Sequence, residues 1–238
     1  SSVIDELKSL NDMGITEVVF KDQTFGAIPQ RARTLCEEIN KNEIKISWTC
    51  FSRVDLIHEK LLSSMKQAGC HTIILGIESV NTELLSHYDR NIDLKLKKNA
   101  FALCQSMGIK TVGTFIIGLP GDTKKTIGKT ISFSKEIGCD YASFNIFTPA
   151  YGTRLRYTLI DEGKLNNTLC FMDSGVSYPL MDTADLTRRH IWSLRNKAIA
   201  TFYFRPSYIF KKIRESNGAS EIKHLSIETW GILKSLCR

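Results

Sequence analysis

Apolar positions spaced three and four apart fill one stretch of the chain after another. Each stretch stops at a glycine, and a short β-branched or aromatic run follows at once. NDMG leads into ITEVVF, KQAG into CHTIIL, QSMG into IKTVGTFIIG and KEIG into CDYASFNIF. Helical spacing that gives way to a compact apolar run marks a helix feeding a strand. Gly14, Gly69, Gly108 and Gly138 fall where each helix must end in a left-handed turn, a conformation that costs glycine nothing sterically. A further strand is predicted over Ile44 to Trp48, behind a helix over 29–40 that Pro29 opens and that Asn42 closes in the left-handed position.

Strand starts recur about every thirty residues, the size of a βα unit, so the sheet is predicted to be parallel. Runs such as VVF, TIIL and TFIIG are apolar at both parities, as strands covered on both faces are. A barrel and an open doubly wound sheet both fit. The opening segment from Ser1 is helical, with Asp5 and Glu6 in its first turn, and a βα unit begins with a strand. A first strand and its loop are therefore expected upstream of Ser1. Beyond Pro149 the repeat ceases: YGTRL reads as a turn, Asn166 to Pro179 as a loop, and Thr183 to Phe204 as a helix broken by Pro206. Glu221 to Leu236 has the spacing of a last amphipathic helix.

Composition narrows the class. At 238 residues, 42% hydrophobic and 24% charged, the chain is sized for one globular domain or two small ones. No apolar run approaches the length of a membrane-spanning helix. The net charge of +7 favours anionic partners, but the 32 Lys and Arg are spread along the whole chain, which fits a solvated surface and argues against nucleic acid. Seven cysteines at wide, irregular spacings fit a reduced, cytoplasmic protein. No two of them stand at the short gap that zinc or an iron-sulfur cluster needs, and no metal site is predicted within the chain.

In parallel βα architectures the chemistry collects at the C-terminal ends of the strands. Those ends carry Asp22 after VVF; Thr49, Cys50, Arg53 and Asp55 after ISW; Glu78 and Ser79 after IIL; Gly118, Pro120, Gly121 and Asp122 after GTFII; and Thr148 and Tyr151 after ASFNIF. Carboxylates, an arginine and close-approach glycines around one mouth suit a zwitterionic ligand with amino, carboxylate and ribose groups. Each residue also has a purely structural reading. Asp22 can form a turn, Arg53 can pair with Asp55, Glu78 can cap the short helix around Asn81 to His87, and Asp122 can cap a helix over 123–137. Gly128, Lys129 and Thr130 imitate the end of a phosphate-binding loop, but Thr123 stands where its first glycine belongs, and the triplet lies inside a helical pattern.

The ordered set FKDQTFG, CFSRVD, GCHTIILGIESVNTELL with Arg90, TFIIGLPGDT and FNIFTPAYGT resembles the successive strand-end motifs of radical S-adenosylmethionine (SAM) enzymes, closest to the class fused to a cobalamin-binding domain. FYFRPSYI resembles that class's C-terminal extension. The resemblance implies an α/β fold: a partial TIM-type barrel over residues 1–157, lacking its first strand and cluster loop, with a helical extension over 158–238. It implies SAM and a 4Fe-4S cluster as cofactors, with cobalamin left open, and a 5′-deoxyadenosyl radical as the product of SAM cleavage. Asp22 would face the methionine amino group and Arg53 and Arg90 its carboxylate. Glu78 and Ser79 would bind ribose or the amino group, the backbone from Ile116 to Gly118 would pack adenine, and Asn145 to Phe147 would line its opposite face. Gln23 stands where a second acidic residue often follows Asp22. The cluster motif CxxxCxxC is absent from the chain, so the cluster ligands are expected upstream.

A reductant such as flavodoxin or ferredoxin is the implied partner, and the substrate is a small molecule or modified peptide. Two other readings compete: a degenerate, non-catalytic barrel acting as a basic interaction module, and membrane-surface association through Tyr208 to Arg214, whose aromatics core packing also explains.

Overall fold

The computed structural model describes residues 2–88, 92–166 and 178–215. The helix expected over Glu221 to Leu236, most of the loop from Asn166 to Pro179, and Arg90 lie outside the described residues.

Helix α1 (Ser2–Asp12) leads into β1 (Glu17–Phe20), α2 (Pro29–Lys41) into β2 (Ser47–Arg53), and α3 (Glu59–Gln67) into β3 (Cys70–Glu78). After the short α4 (Thr82–Ser86), α5 (Leu94–Ser106) leads into β4 (Lys110–Ile117) and α6 (Lys124–Glu136) into β5 (Tyr141–Ile146). Among the described residues three helices follow: α7 (Arg154–Asp161), α8 (Arg188–Tyr203) and α9 (Pro206–Glu215). The strands form one sheet in the order β1-β2-β3-β4-β5, with parallel pairing from β1 through β4. Spatial order follows chain order without reversal. A doubly wound sheet reverses at its switch point, so the sequence-level choice resolves in favour of the barrel type. None of the described helices is long and apolar enough to cross a membrane.

The four helix-ending glycines adopt the left-handed conformation expected of them, with φ of 78° at Gly14, 94° at Gly69, 65° at Gly108 and 72° at Gly138. Gly69 does most. The Trp48 amide donates to its carbonyl at 3.0 Å, and the Trp48 indole Nε1 donates to the Ala68 carbonyl at 2.6 Å. A Cβ at residue 69 would run into the Ile46 carbonyl, a backbone atom with nowhere to go. Gly69→Ala therefore combines a positive φ with a backbone clash, and is expected to cost on the order of 3 kcal/mol. A urea midpoint unchanged from wild type would show that the crossing of α3 and β2 is looser than these distances describe.

Several boundaries differ from the sequence reading. The strand expected over Ile44 to Trp48 is instead Ser47–Arg53. Trp48, Cys50 and Ser52 alternate as its buried positions, and the Ser52 hydroxyl donates to the Phe25 carbonyl at 2.8 Å, so a polar residue hides the apolar period. Asn42 stays at φ −90°, with its side-chain amide donating to the Glu38 carbonyl at 2.8 Å, and Glu43 takes the left-handed turn at φ 51°. Thr123, not Asp122, caps α6: its hydroxyl accepts from the Thr126 amide at 3.2 Å. Helix α8 starts at Arg188, because Thr183 and Leu186 close a turn on each other and Thr187 is the cap. Pro206 ends α8 as expected and also opens α9. The run VVF is not covered on both faces: β1 alternates exposed and half-buried positions, and Val19 is 46% exposed.

The chain divides into two compact units, Ser1–Phe115 with Phe133–Ser143, and Ile116–Ser132 with Phe144–Arg238. The core of the first gathers Trp48, Leu61, Leu62, Met65, Ile73 and Leu75, each fully buried. Phe20, Phe25 and Trp48 stack with ring centroids 5.0–5.5 Å apart. In the second unit Phe202 packs between Phe144 and Tyr208, while Leu159, Leu165 and Met181 form a separate cluster.

Candidate functional site

The C-terminal ends of the strands are divided between the two compact units. In the first, Asp22 follows β1, is exposed, and lines a cleft of about 160 Å³ with Val3, Phe20, Thr24 and Arg31. At the end of β2, Arg53 donates through Nε and a terminal nitrogen to the two carboxylate oxygens of Asp55, at 2.9 and 2.8 Å. That fork holds Arg53 above its ordinary pKa, through the hydrogen bonds and then the charge of Asp55. The structural reading of Arg53 is the geometry seen. Both groups are partly exposed, so the pair itself contributes little stability.

The end of β3 is irregular. Its register against β4 pairs Gly76 with Thr114 and then Glu78 with Phe115, skipping Ile77. Glu78 sits in this bulge at φ 64°, and among the described non-glycine residues it shares the left-handed region only with Glu43. A bulge re-aims side chains, and a side chain with a Cβ in this region is strained by about 1–2 kcal/mol. Ser79 is buried, and its hydroxyl accepts from the Asn81 amide at 3.1 Å. The helix that follows is capped by Asn81, whose side chain accepts from the Leu84 amide at 3.3 Å. The capping reading of Glu78 therefore does not hold. Arg53 pairs in register with Gly76, which brings the ends of β2 and β3 side by side.

One charged residue here escaped the sequence reading. Lys97, on α5, is 1% exposed and donates from Nζ to the carbonyls of Ile77 at 3.1 Å and Ser79 at 2.9 Å. Burial pushes the ammonium down to about 8, with Glu78 and Asp93 pulling back upward. The signal was legible: Lys97, Ala100, Phe101 and Cys104 share the buried face of α5, and a lysine on such a face needs a reason.

In the second unit, half-buried Ile116 and buried Ile117 end β4, and Gly118 follows at φ 85°. Asp122, 1% exposed, turns back to accept from the Gly118 and Leu119 amides at 3.2 and 3.1 Å and from the Thr126 hydroxyl at 2.8 Å. Asn145 is half-buried on β5, and the Phe147 amide donates to the Ile117 carbonyl at 2.9 Å, joining the ends of β4 and β5. Asp22, Arg53, Glu78 and Ser79 thus belong to the first unit and Ile116, Gly118 and Asn145 to the second.

Cys36, Cys50, Cys70, Cys104 and Cys139 are buried and unbridged. Burial first, and neighbouring thiols after it, push Cys36 and Cys104 up to about 12. A hydrogen bond with the Cys70 thiol and burial raise Cys50 as well. Protonated thiols are poor metal ligands, and no group of three His, Cys, Asp or Glu among the described residues could hold a metal ion.

Residues 1–134 match the family described as the Radical SAM superfamily. A protein of Pyrococcus horikoshii named as an uncharacterized methyltransferase is 36% identical over 218 residues, which are 91% of this chain and 47% of that protein. The chain therefore spans about half the length of this curated relative. Among solved structures, the cobalamin-dependent S-adenosylmethionine radical enzyme OxsB, with aqua-cobalamin and S-adenosylmethionine bound, aligns with a TM-score of 0.60 at 18% identity, covering 98% of this chain and 41% of that one. The radical S-adenosylmethionine methyltransferase TsrM from Kitasatospora setae, with cobalamin and a [4Fe-4S] cluster bound, aligns at 0.58 and 21% identity over 61% of this chain and 30% of that one. At such identities the likeness shows the fold, an α/β fold of the partial TIM-barrel type.

Proposed function

Because this chain belongs to the Radical SAM superfamily, we propose that it is the SAM-binding part of a radical SAM enzyme, cleaving the cofactor to a 5′-deoxyadenosyl radical in a cobalamin-dependent methyl transfer or a related radical reaction. Residues 1–157 form its barrel core and 158–238 its extension. The observation that carries this reading is Glu78, a carboxylate held in the left-handed conformation on a bulged strand end, where a parallel βα fold collects its chemistry.

The donor set fits SAM. Glu78 and Asp22 offer carboxylates to the ribose hydroxyls and the amino group, and Arg53 offers a guanidinium to the carboxylate once it leaves Asp55 or shares it. Ser79 stands beside Glu78, and Arg90 is the second cation proposed for the carboxylate; in the second unit half-buried Ile116 and Asn145 and buried Gly118 are the residues proposed for adenine. The described residues do not fit a 4Fe-4S cluster, and its ligands belong to other residues of the full-length protein. A cluster bound there would supply the electron for SAM cleavage.

Unbridged thiols favour the reducing cytoplasm, where flavodoxin or ferredoxin is available as reductant. The names of the methyltransferase relative and of TsrM support methyl transfer, and those of TsrM and OxsB support cobalamin; the substrate in this reading is a small molecule or a modified peptide. The full-length protein, reconstituted anaerobically and reduced in the presence of SAM, is expected to release 5′-deoxyadenosine or S-adenosylhomocysteine, resolved by liquid chromatography. A protein that takes up SAM and a cluster yet forms neither product would overturn the reading.

A further inference from the structure

Lys97 has a role that the proposed cofactor contacts do not cover. Its position on α5 lies among Ala100, Phe101 and Cys104, where an apolar side chain would cost less than an ammonium. What the ammonium does there is grip two backbone carbonyls, those of Ile77 and Ser79, on either side of Glu78. Two carbonyls flanking one residue converge on a single donor only where the chain between them is turned, and that is the bulge with Glu78 at φ 64°.

We propose that Lys97 is the positioning residue of the β3 terminus: by clamping the Ile77 and Ser79 carbonyls from within the core, it holds Glu78 in its left-handed conformation and so sets the direction in which the Glu78 carboxylate meets SAM. The inference rests on the SAM-binding reading of Glu78. It deepens that reading by adding a residue that never touches the ligand. Charge-assisted bonds to two carbonyls exceed the strain of one left-handed residue, so the clamp is strong enough to hold the bulge.

The test is SAM binding to the full-length protein by calorimetry, across wild type, Glu78→Ala, Lys97→Met and the double variant. Each single change is expected to weaken binding by roughly tenfold, and the double variant to bind no more weakly than Glu78→Ala alone, because Lys97 acts through Glu78. A lysine that merely supports packing would not produce this dependence on Glu78. Wild-type affinity in Lys97→Met, or losses that multiply in full in the double variant, would overturn the proposal while Glu78→Ala still binds weakly and the cofactor reading stands. Unchanged affinity in Glu78→Ala would instead remove the cofactor reading itself. Lys97→Gln, which keeps an amide donor but shortens the reach, is read by the same criteria if the methionine variant does not fold.

Discussion

Asp122→Ala is expected to lower the unfolding free energy by on the order of 3 kcal/mol, since it orphans the Gly118 and Leu119 amides in a site that water does not reach, whereas the half-buried Thr126 hydroxyl keeps the Thr123 carbonyl as an acceptor at 3.0 Å. Each unpaired buried donor costs about 1–3 kcal/mol, and loss of the carboxylate's own burial cost offsets part of the sum. Burial holds the Asp122 carboxyl above its ordinary range, while its bonds to Thr126, Leu119 and Gly118 pull it partly back. A raised native value means the folded protein keeps this proton more tightly than the unfolded chain. The resulting contribution is fully present below the unfolded value near 3.8 and is lost as pH rises through the native one. Against Asp122→Asn, which does not titrate, wild type should gain relative stability as the medium is acidified through that window. Urea melts at two pH values read the difference, and a gap that widens in the opposite sense would mean that the hydrogen bonds outweigh the burial.

Glu78→Ala should weaken SAM binding by roughly tenfold or more, the equivalent of losing one charge-assisted hydrogen bond of about 2 kcal/mol. Alanine inherits the strain at φ 64° and so confounds binding with stability. Glu78→Gly separates the two. Glycine occupies the left-handed region without steric cost, so this variant should be no less stable than the alanine one yet bind SAM equally poorly. Arg53→Ala, measured alongside, reports the loss of a guanidinium that is already engaged by Asp55 and should have the smaller effect. Recovery of affinity in Glu78→Gly would assign the alanine defect to backbone strain and not to the carboxylate.

Much of the scaffold was legible in the chain because its punctuation is covalent. Gly14, Gly69, Gly108 and Gly138 fix helix ends by sterics that no tertiary contact can override. Where the signal depended on partners distant in sequence, the reading slipped. The extent of β2 turned on Ser52 being buried by a bond to Phe25, which lies 27 positions away. Helix α7 was absorbed into a turn, although Thr153 caps it by accepting from the Arg156 amide at 3.4 Å. The strand-end residues were nameable because parallel sheets collect chemistry there, but two of their contacts were not. The fork of Arg53 on Asp55 stood as one of two readings, and the left-handed turn of Glu78 depends on a lysine 19 positions later that only the folded helix carries to it.

The sealed thiols of Cys36, Cys50, Cys70, Cys104 and Cys139 have a practical corollary for the handling of this member of the Radical SAM superfamily. Sulfur that is occluded neither scavenges added iron nor reacts with alkylating agents or peroxide while the fold is closed. Its modification is gated by opening of the surrounding structure. An adduct or sulfenic acid recovered on any of these five positions therefore dates an earlier excursion from the native state, so the core keeps a chemical record of its own handling history.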